Sequence, residues 1–234
     1  MKSAEGEYRD AEEALSKGNV AEALSAFADA AVGGYAPAAY RAGRMLDKGE
    51  GCEADAASAV RMYARFPDDM GCAFRLGIAY YLGRGVPRDY VKARGFFEAS
   101  AGKGCAKAMF NLGVMFENGF GAERDPERAM KNYLQAADLG NAKAMYNVGT
   151  MHRFGRGVPQ DDSKALEWFM KAAERGSAKA QFGMALAYHH GRGVPVDDSE
   201  AVRWCRLAEE QGLVKASKLK DYILSSHNII TSIG

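Results

Sequence analysis

The sequence predicts an all-α solenoid of about six helix-pair repeats, closed by a C-terminal helix. A glycine-rich motif recurs every 36 residues along most of the chain. Columns of aspartate, alanine and aromatic residues keep the same step. Glycine accounts for 27 of the 234 residues, against the roughly 7 % of an average protein. A glycine content this high requires a positional reason, and the repeated motif supplies it.

The glycine-rich motif is expected to form the turn between the two helices of each repeat. Gly-Arg-Gly-Val-Pro occupies residues 83–87, 155–159 and 191–195, and a degenerate copy occupies 119–123. A shorter copy begins at Gly49, 34 residues before the first complete one. Glycine suits such turns because it adopts positive φ at no steric cost. The motif lacks the Lys-Ser/Thr ending of a phosphate-binding loop, so a tight turn is the simpler interpretation.

The segment after each turn predicts the second helix of the repeat. An aspartate four residues after the second glycine is placed to cap the helix, because its carboxylate can accept from the free N–H groups of the first turn. An alanine follows at helical spacing, then a ring or a cysteine, and a glycine ends the helix. The capping column is Asp55, Asp89, Asp125, Asp161 and Asp197. The ring column is Tyr63, Phe97, Tyr133 and Phe169, with Cys205 in the last repeat.

The segment before each turn predicts the first helix of the repeat. In the helix that begins at Ala106, Ala108, Leu112, Met115 and Phe116 form one apolar stripe. A small residue next to this stripe, at the eighth place of the helix, lets the second helix approach closely. The small residues are Gly77, Gly113, Gly149 and Ala185. At the eleventh place, His152 takes the position of an aromatic residue and is expected to be a hydrogen-bonded core residue.

The repeats divide the chain into a single repeat domain, 1–234. A degenerate helix pair is predicted at 4–35, with five repeats at 36–69, 70–105, 106–141, 142–177 and 178–212. A capping helix is predicted at 213–225 and a tail at 226–234. Terminal repeats with a polar outer face are typical of solenoids.

At these columns the chain resembles the Sel1-like repeats, which are relatives of the tetratricopeptide repeat. The resemblance is strong over 70–212 and weaker over 36–69 and 8–35. It implies a right-handed superhelix of antiparallel helix pairs, whose first helices line a concave groove. Members of this family resemble adaptors in signalling, secretion or envelope quality control. The implied function is a non-enzymatic scaffold that binds a protein or peptide in bacterial signalling, regulation or virulence.

The groove is expected to be lined by places 5, 9 and 12 of each first helix, counted from the first residue of the helix. The predicted partner-binding residues are Tyr40, Arg44, Phe74, Ile78, Tyr81, Phe110, Val114, Glu117, Tyr146, Thr150, Arg153, Phe182, Leu186 and His189. The channel they form is largely apolar and rich in aromatic rings, which suits a hydrophobic peptide or helix. An alternative remains open, since the rings at place 5 could simply pack between neighbouring repeats.

Composition excludes several classes of partner. Thirty-one Lys and Arg against 30 Asp and Glu leave a net charge of +1, which gives no electrostatic reason to bind nucleic acid or an anionic membrane. No apolar run approaches the roughly 18–20 residues of a membrane helix. The opening residues lack the apolar stretch of a signal peptide, so the predicted location is the cytoplasm.

No pattern of catalytic, cofactor or metal residues accompanies the repeats, so the protein is not expected to be an enzyme. His189 and His190 are adjacent and point about 100° apart on a helix, which disfavours a shared metal ion. The four cysteines form no CxxC pair and are predicted to be small buried thiols. They are Cys52, Cys72, Cys105 and Cys205.

Two further hypotheses remain. Cysteine-rich relatives of the family have been proposed to bind cell-wall fragments or β-lactams, so a small-molecule binder or a β-lactam hydrolase is the alternative function. The chain lacks the regular cysteine pair per repeat of those relatives, which counts against it. The other hypothesis is self-association through residues 49–72 or the isoleucine-rich tail. A monomer is expected, with a homodimer as the alternative.

Overall fold

The computed structural model describes the backbone of residues 2–233 and the side chains of residues 2–226. Within this range the chain forms thirteen α-helices and no strand. The helices are α1 (Ala4–Ser16), α2 (Val20–Val32), α3 (Ala36–Lys48), α4 (Ala56–Tyr63), α5 (Met70–Leu82), α6 (Tyr90–Ala101), α7 (Ala106–Asn118), α8 (Pro126–Asp138), α9 (Ala142–Phe154), α10 (Asp162–Glu174), α11 (Ala178–His190), α12 (Asp198–Glu210) and α13 (Val214–Ile233).

The helices fall into two compact units. Unit 1 is Met1–Arg124 and contains α1 to α7; unit 2 is Asp125–Gly234 and contains α8 to α13. Inside each unit, every helix packs against the helix that follows it in the chain, as α5 does on α6 and α11 on α12. In unit 1, α3 also contacts α5, so the first helices of successive repeats are neighbours.

Inside each unit, the capping aspartates join the two helices of a pair with two hydrogen bonds. The side chain of Asp89 accepts from the Lys92 N–H at 3.0 Å, and that of Asp161 accepts from the Lys164 N–H at 2.9 Å. Their own backbone N–H groups donate to carbonyls of the first helix, Asp89 to Tyr80 and Asp161 to His152, both at 2.9 Å. The same side-chain cap is present at all five predicted aspartates. The aspartate column is therefore confirmed as N-caps.

The glycine at the eighth place of the first helix allows the helix pair to pack closely. A Cβ atom on Gly77 would lie 2.6 Å from the Phe97 ring, and one on Gly149 would lie 2.8 Å from the Phe169 ring. No carbon atom fits at such distances, so the buried ring of the second helix occupies the space that a side chain would need. The repeat with Ala185 instead of this glycine is also the repeat with Cys205 instead of the ring.

The second glycine of each turn brings successive repeats together. Gly157 has φ +67 and a Cβ on it would lie 2.6 Å from the carbonyl oxygen of Pro126, at the start of α8. Gly193 has φ +73, and its Cβ would lie 2.6 Å from the carbonyl oxygen of Asp162, at the start of α10. The turn of one repeat thus lies on the first turn of the second helix in the preceding repeat. Only glycine satisfies both the positive φ and this contact.

The predicted apolar stripe and ring column are confirmed as core, but two of the cysteines are not buried. The stripe of α7 is buried, and so are the ring column and Cys205. Cys72 is also buried, as predicted, but Cys105 is only half-buried and Cys52 is exposed. Cys52 lies in the turn between α3 and α4, which is outside the packed helix faces. The expectation of four buried thiols is therefore wrong at Cys52 and Cys105.

The C-terminal helix α13 spans Val214–Ile233, whereas a capping helix at 213–225 and a separate tail at 226–234 were expected. Its residues Ala216 and Ile223 are buried, and Ile223 joins Ala201 and Val202 of α12 in one apolar cluster. The isoleucines of the tail, which carry the hypothesis of self-association, lie outside the described side chains.

We predict that Gly77→Ala destabilises the protein and that Gly95→Ala stabilises it. A methyl group at Gly77 would clash with the Phe97 ring, and overpacking of this kind typically costs about 1–3 kcal/mol. A methyl group at Gly95, in the middle of the exposed side of α6, meets no atom within 4 Å, so it should gain about 0.5–1 kcal/mol of helix propensity. Urea unfolding of both variants measures the two free energies. Equal effects of the same sign would contradict the role of Gly77 in packing.

Candidate functional site

The candidate site is the row of partly exposed side chains on the first helices, described for each unit separately. The first-helix face of unit 1 consists of Tyr40, Arg44, Phe74, Ile78, Tyr81, Phe110, Val114 and Glu117. The first-helix face of unit 2 consists of Tyr146, Thr150, Arg153, Phe182, Leu186 and His189. Each of these fourteen residues is half-buried, in contrast to the buried ring column of the second helices. Their role in binding a partner stays a prediction.

The rings at place 5 line these faces and also pack inward. The Phe74 ring lies 5.9 Å from the Phe97 ring, and the Tyr146 ring lies 5.6 Å from the Phe169 ring, measured between centroids. Tyr40 instead packs across to the next repeat, since a Cβ on Gly71 would lie 2.9 Å from its Cδ2 atom. Each of these three rings therefore presents one edge to solvent and holds the other against the fold.

Arginines surround Tyr40 in unit 1. The guanidinium carbons of Arg44 and Arg75 each lie 5.8 Å from the centroid of the Tyr40 ring. Arg75 stands at place 6 of α5 and was not among the predicted site residues. The signal that could have found it is weak, because only the first two of the five repeats carry arginine at this place, as Arg41 and Arg75.

Asp47 and Tyr63 form a hydrogen bond next to this arginine pair. The Tyr63 hydroxyl donates to Asp47 Oδ2 at 2.8 Å. Burial raises the pKa of Tyr63 well above its ordinary value, and the hydrogen bond to the carboxylate adds to this effect. The hydroxyl therefore stays protonated and remains a donor to Asp47.

An aromatic cluster stands where the turn motif is degenerate. Phe120 replaces the arginine of the motif, and its ring stacks on Tyr90 with 4.9 Å between centroids. Tyr81 completes the cluster, 5.4 Å from Tyr90 and 6.0 Å from Phe120. The guanidinium of Arg88 lies 5.4 Å from the Tyr90 centroid. The sequence pattern identified Tyr81 alone, because the other rings belong to the turn and to the second helix.

In unit 2, the predicted residue His189 is held by a carboxylate. Its Nδ1 lies 2.6 Å from Asp198 Oδ1, and its ring lies 4.8 Å from that of His190. Asp198 thus has a role different from that of Asp197, which caps α12. The pair of aspartates at the start of α12 is therefore divided between capping and orienting a histidine.

Arg153 lies at the edge of a small recess in unit 2, which Asp162, Phe169 and Arg192 also line. Burial lowers the pKa of Arg153, and the like charge of Arg192 adds to this effect, whereas Asp162 opposes it. The guanidinium of Arg153 also lies 5.1 Å from the Phe154 ring. This part of the face therefore combines positive charge with an exposed ring.

His152 is only half-buried, so the expectation of a core residue is not met. Its Nδ1 is buried and has no hydrogen-bond partner among the described residues. Burial lowers the pKa of His152, the charge of Lys164 adds to this effect, and Asp161 and a hydrogen bond with the Pro159 backbone oppose it. At the same place of other first helices, Tyr80 and Tyr188 are also half-buried, whereas Phe116 is buried.

The repeats are matched by a known family model. The model of the Sel1 repeat matches residues 36–66, 72–105, 106–141, 142–177 and 178–213. The chain belongs to the Sel1 repeat family. This confirms the resemblance on which the fold was predicted, and it identifies the fold as a scaffold for protein interactions whose members are generally non-enzymatic. The search of curated proteins found no match.

Solved structures of Sel1 repeat proteins show the same fold. A protective antigen of uropathogenic Escherichia coli strains is 27% identical, with a TM-score of 0.86 over 94% of this chain and 48% of that one. The chain thus spans about half the length of the antigen. A Sel1 repeat protein from Oxalobacter formigenes is 26% identical, with a TM-score of 0.83 over 92% of this chain and 86% of that one. The predicted all-α superhelix is therefore confirmed.

A more distant structure agrees in fold alone. An immunity protein from Pseudomonas aeruginosa is 20% identical, with a TM-score of 0.51 over 95% of this chain and 83% of that one.

Among the helices that the structure describes, none combines the length and the apolar character needed to span a bilayer.

We predict that His152→Tyr makes the protein less sensitive to acid. Because the folded state lowers the pKa of His152 below 6.5, folding favours the neutral ring. The contribution of this ring to stability is therefore complete above pH 6.5 and is lost as the pH falls through the lower pKa of the folded state. The unfolding midpoint of His152→Tyr should exceed that of the wild type by more at pH 5 than at pH 8. Thermal unfolding at the two pH values measures this difference.

The reciprocal variant Tyr80→His serves as the control, because it places a histidine at the same place of α5. It should add sensitivity to acid where the wild type has none from this position. A His152→Tyr variant that loses stability with pH as steeply as the wild type would show that another group carries the effect.

Proposed function

We propose that the protein is a non-enzymatic scaffold that binds a protein or peptide partner on its first-helix faces. The observation that carries this proposal is the half-burial of a largely apolar and aromatic row of side chains on the first helices. The second helices use their alanines and rings for the core. The first helices keep places 5, 9 and 12 half-buried, so these side chains have surface left to bury against a partner.

The chemistry of the faces supports a protein partner. Aromatic and aliphatic residues predominate, with Phe74, Ile78 and Phe110 in unit 1 and Phe182 and Leu186 in unit 2. Half-buried rings lose little conformational freedom on binding, and rings of this kind are enriched among the residues that dominate interface affinity. Net charge of +1 gives little general attraction to a phosphate backbone.

The remaining parts of the proposal come from the sequence and the family. A role in bacterial signalling, regulation or virulence and a place in the cytoplasm are proposed on the resemblance and on the composition. A monomer is proposed, with a homodimer as the alternative. Binding of a cell-wall fragment or a β-lactam is the competing function, and a shift of the melting temperature by such a ligand would support it.

We predict that Ile78→Ser combined with Val114→Ser weakens binding of the native partner. Both residues occupy place 9 of the first-helix face of unit 1 and are half-buried. Removing two apolar anchors from an interface should reduce the affinity by at least about 10-fold. The measurement is quantitative mass spectrometry of proteins that co-purify with the tagged chain from its own cells, followed by titration of the purified partner.

The matched control is Leu82→Ser combined with Val91→Ser. These residues are exposed by 52% and 62% and lie outside the first-helix face, so the control removes similar apolar groups from another surface. It should bind the partner like the wild type. A partner that both double variants retain, or that both lose while still folded, would reject the first-helix face of unit 1 as the binding site.

A further inference from the structure

Two arginines on neighbouring first helices of unit 1 face the same tyrosine ring. The Tyr40 ring of α3 lies against Gly71 of α5. Arg44 and Arg75 each lie four residues beyond this contact, about one helical turn, on their own helices. Both guanidinium carbons lie 5.8 Å from the Tyr40 centroid. Both guanidinium groups therefore face the same ring, at the first-helix face of unit 1.

Neither arginine forms an ion pair with a carboxylate among the described side chains, although the charge of Arg44 adds to the effect of Lys48 in lowering the pKa of Glu50. The Nε atoms of Arg44 and Arg75 are buried and make no hydrogen bond there. The neighbouring Arg41 differs, because its Nη2 atom lies 3.1 Å from Glu12 Oε1. Asp47 accepts from Tyr63 and forms no ion pair with either member of the pair. Each of the two half-buried guanidinium groups thus faces the Tyr40 ring and has no carboxylate within ion-pair distance among the described side chains.

This arrangement is costly for the folded chain alone. A buried Nε–H group without an acceptor loses its hydration and gains nothing equivalent in return. The contact with the Tyr40 ring recovers only part of this loss, since a ring attracts a cation more weakly than a carboxylate does. A carboxylate would pair with the accessible N–H groups of these half-buried guanidiniums, because guanidinium and carboxylate match in geometry.

We propose that Arg44 and Arg75 bind a carboxylate of the partner, so that the first-helix face of unit 1 selects a peptide with an acidic residue beside apolar ones. The inference rests on the proposed function and specifies the chemistry of its ligand. Phe74 and Ile78 flank Arg75 on α5 at half-buried positions, and they supply the apolar contacts. A peptide fits better than a nucleic acid, because only one pair of cations is present among apolar neighbours.

The test begins with a random peptide library displayed on phage and selected on the full chain. The best peptide is then synthesised in two forms, one with its acidic residue and one with the corresponding amide. Fluorescence anisotropy gives the affinity of both forms for the wild type and for Arg44→Gln combined with Arg75→Gln. The wild type should prefer the acidic form by about 10- to 100-fold, and the double variant should bind both forms alike.

The control for charge is Arg84→Gln combined with Lys103→Gln. Both residues are exposed and lie in turns of unit 1, so the net charge changes by the same amount at a distance from the pair. This control should keep the preference for the acidic form. Raising the salt concentration should weaken binding of the acidic form more than that of the amide form.

The outcomes distinguish the binding function of the first-helix face of unit 1 from the inference that Arg44 and Arg75 bind a carboxylate. Failure to select any peptide would overturn both the binding function of this face and the inference. Peptides without an acidic preference, or a preference that the Arg44→Gln, Arg75→Gln variant retains, would overturn the inference and leave the function standing. Stronger binding of a single-stranded oligonucleotide at the same pair would replace the peptide with a phosphate ligand and overturn the inference as well.

Discussion

Close approach of backbone to backbone at the turn glycines sets the spacing of the repeats. Gly157 and Gly193 lie directly on the first turn of the second helix in the repeat before them. A side chain at either position would separate the two segments, so successive repeats within a unit can stack only while this glycine is kept. The capping aspartate also fixes the turn, since its side chain and its backbone N–H form hydrogen bonds to the two helices of its own repeat, as those of Asp161 do. Each repeat is thereby fixed internally and against its neighbour by a few short contacts.

These contacts give the two helices of a repeat different roles. The second helix supplies the buried ring and the start on which the next turn lies, so few of its inward residues can vary. The first helix contributes one stripe to the core and keeps another stripe half-buried. Residues on this second stripe differ from repeat to repeat, as Tyr81, Glu117, Arg153 and His189 do at place 12. Residues of this second stripe can therefore change without disturbing the stacking of repeats.

Repetition made the fold easy to predict from the sequence, since each packing requirement appears several times. The capping role of Asp161 and the space requirement of Gly149 could both be inferred from columns. The candidate face was predicted from helical spacing, which gives the direction of a side chain. Spacing does not give the depth of burial, so His152 was expected deeper than it lies. It also does not reveal pairs between helices, and the Arg44–Arg75 pair depends on how two helices meet.

The exchange of glycine and ring for Ala185 and Cys205 shows that these two positions of a repeat depend on each other. At Gly43, Gly77 and Gly149 a methyl group would overlap the ring of the second helix, which costs about 1–3 kcal/mol. Loss of the ring alone leaves a void, which is costly as well. A first helix that carries alanine at the eighth place therefore suits a second helix with a small partner, and it cannot be exchanged with the first helix of a ring-bearing repeat without one of these two costs.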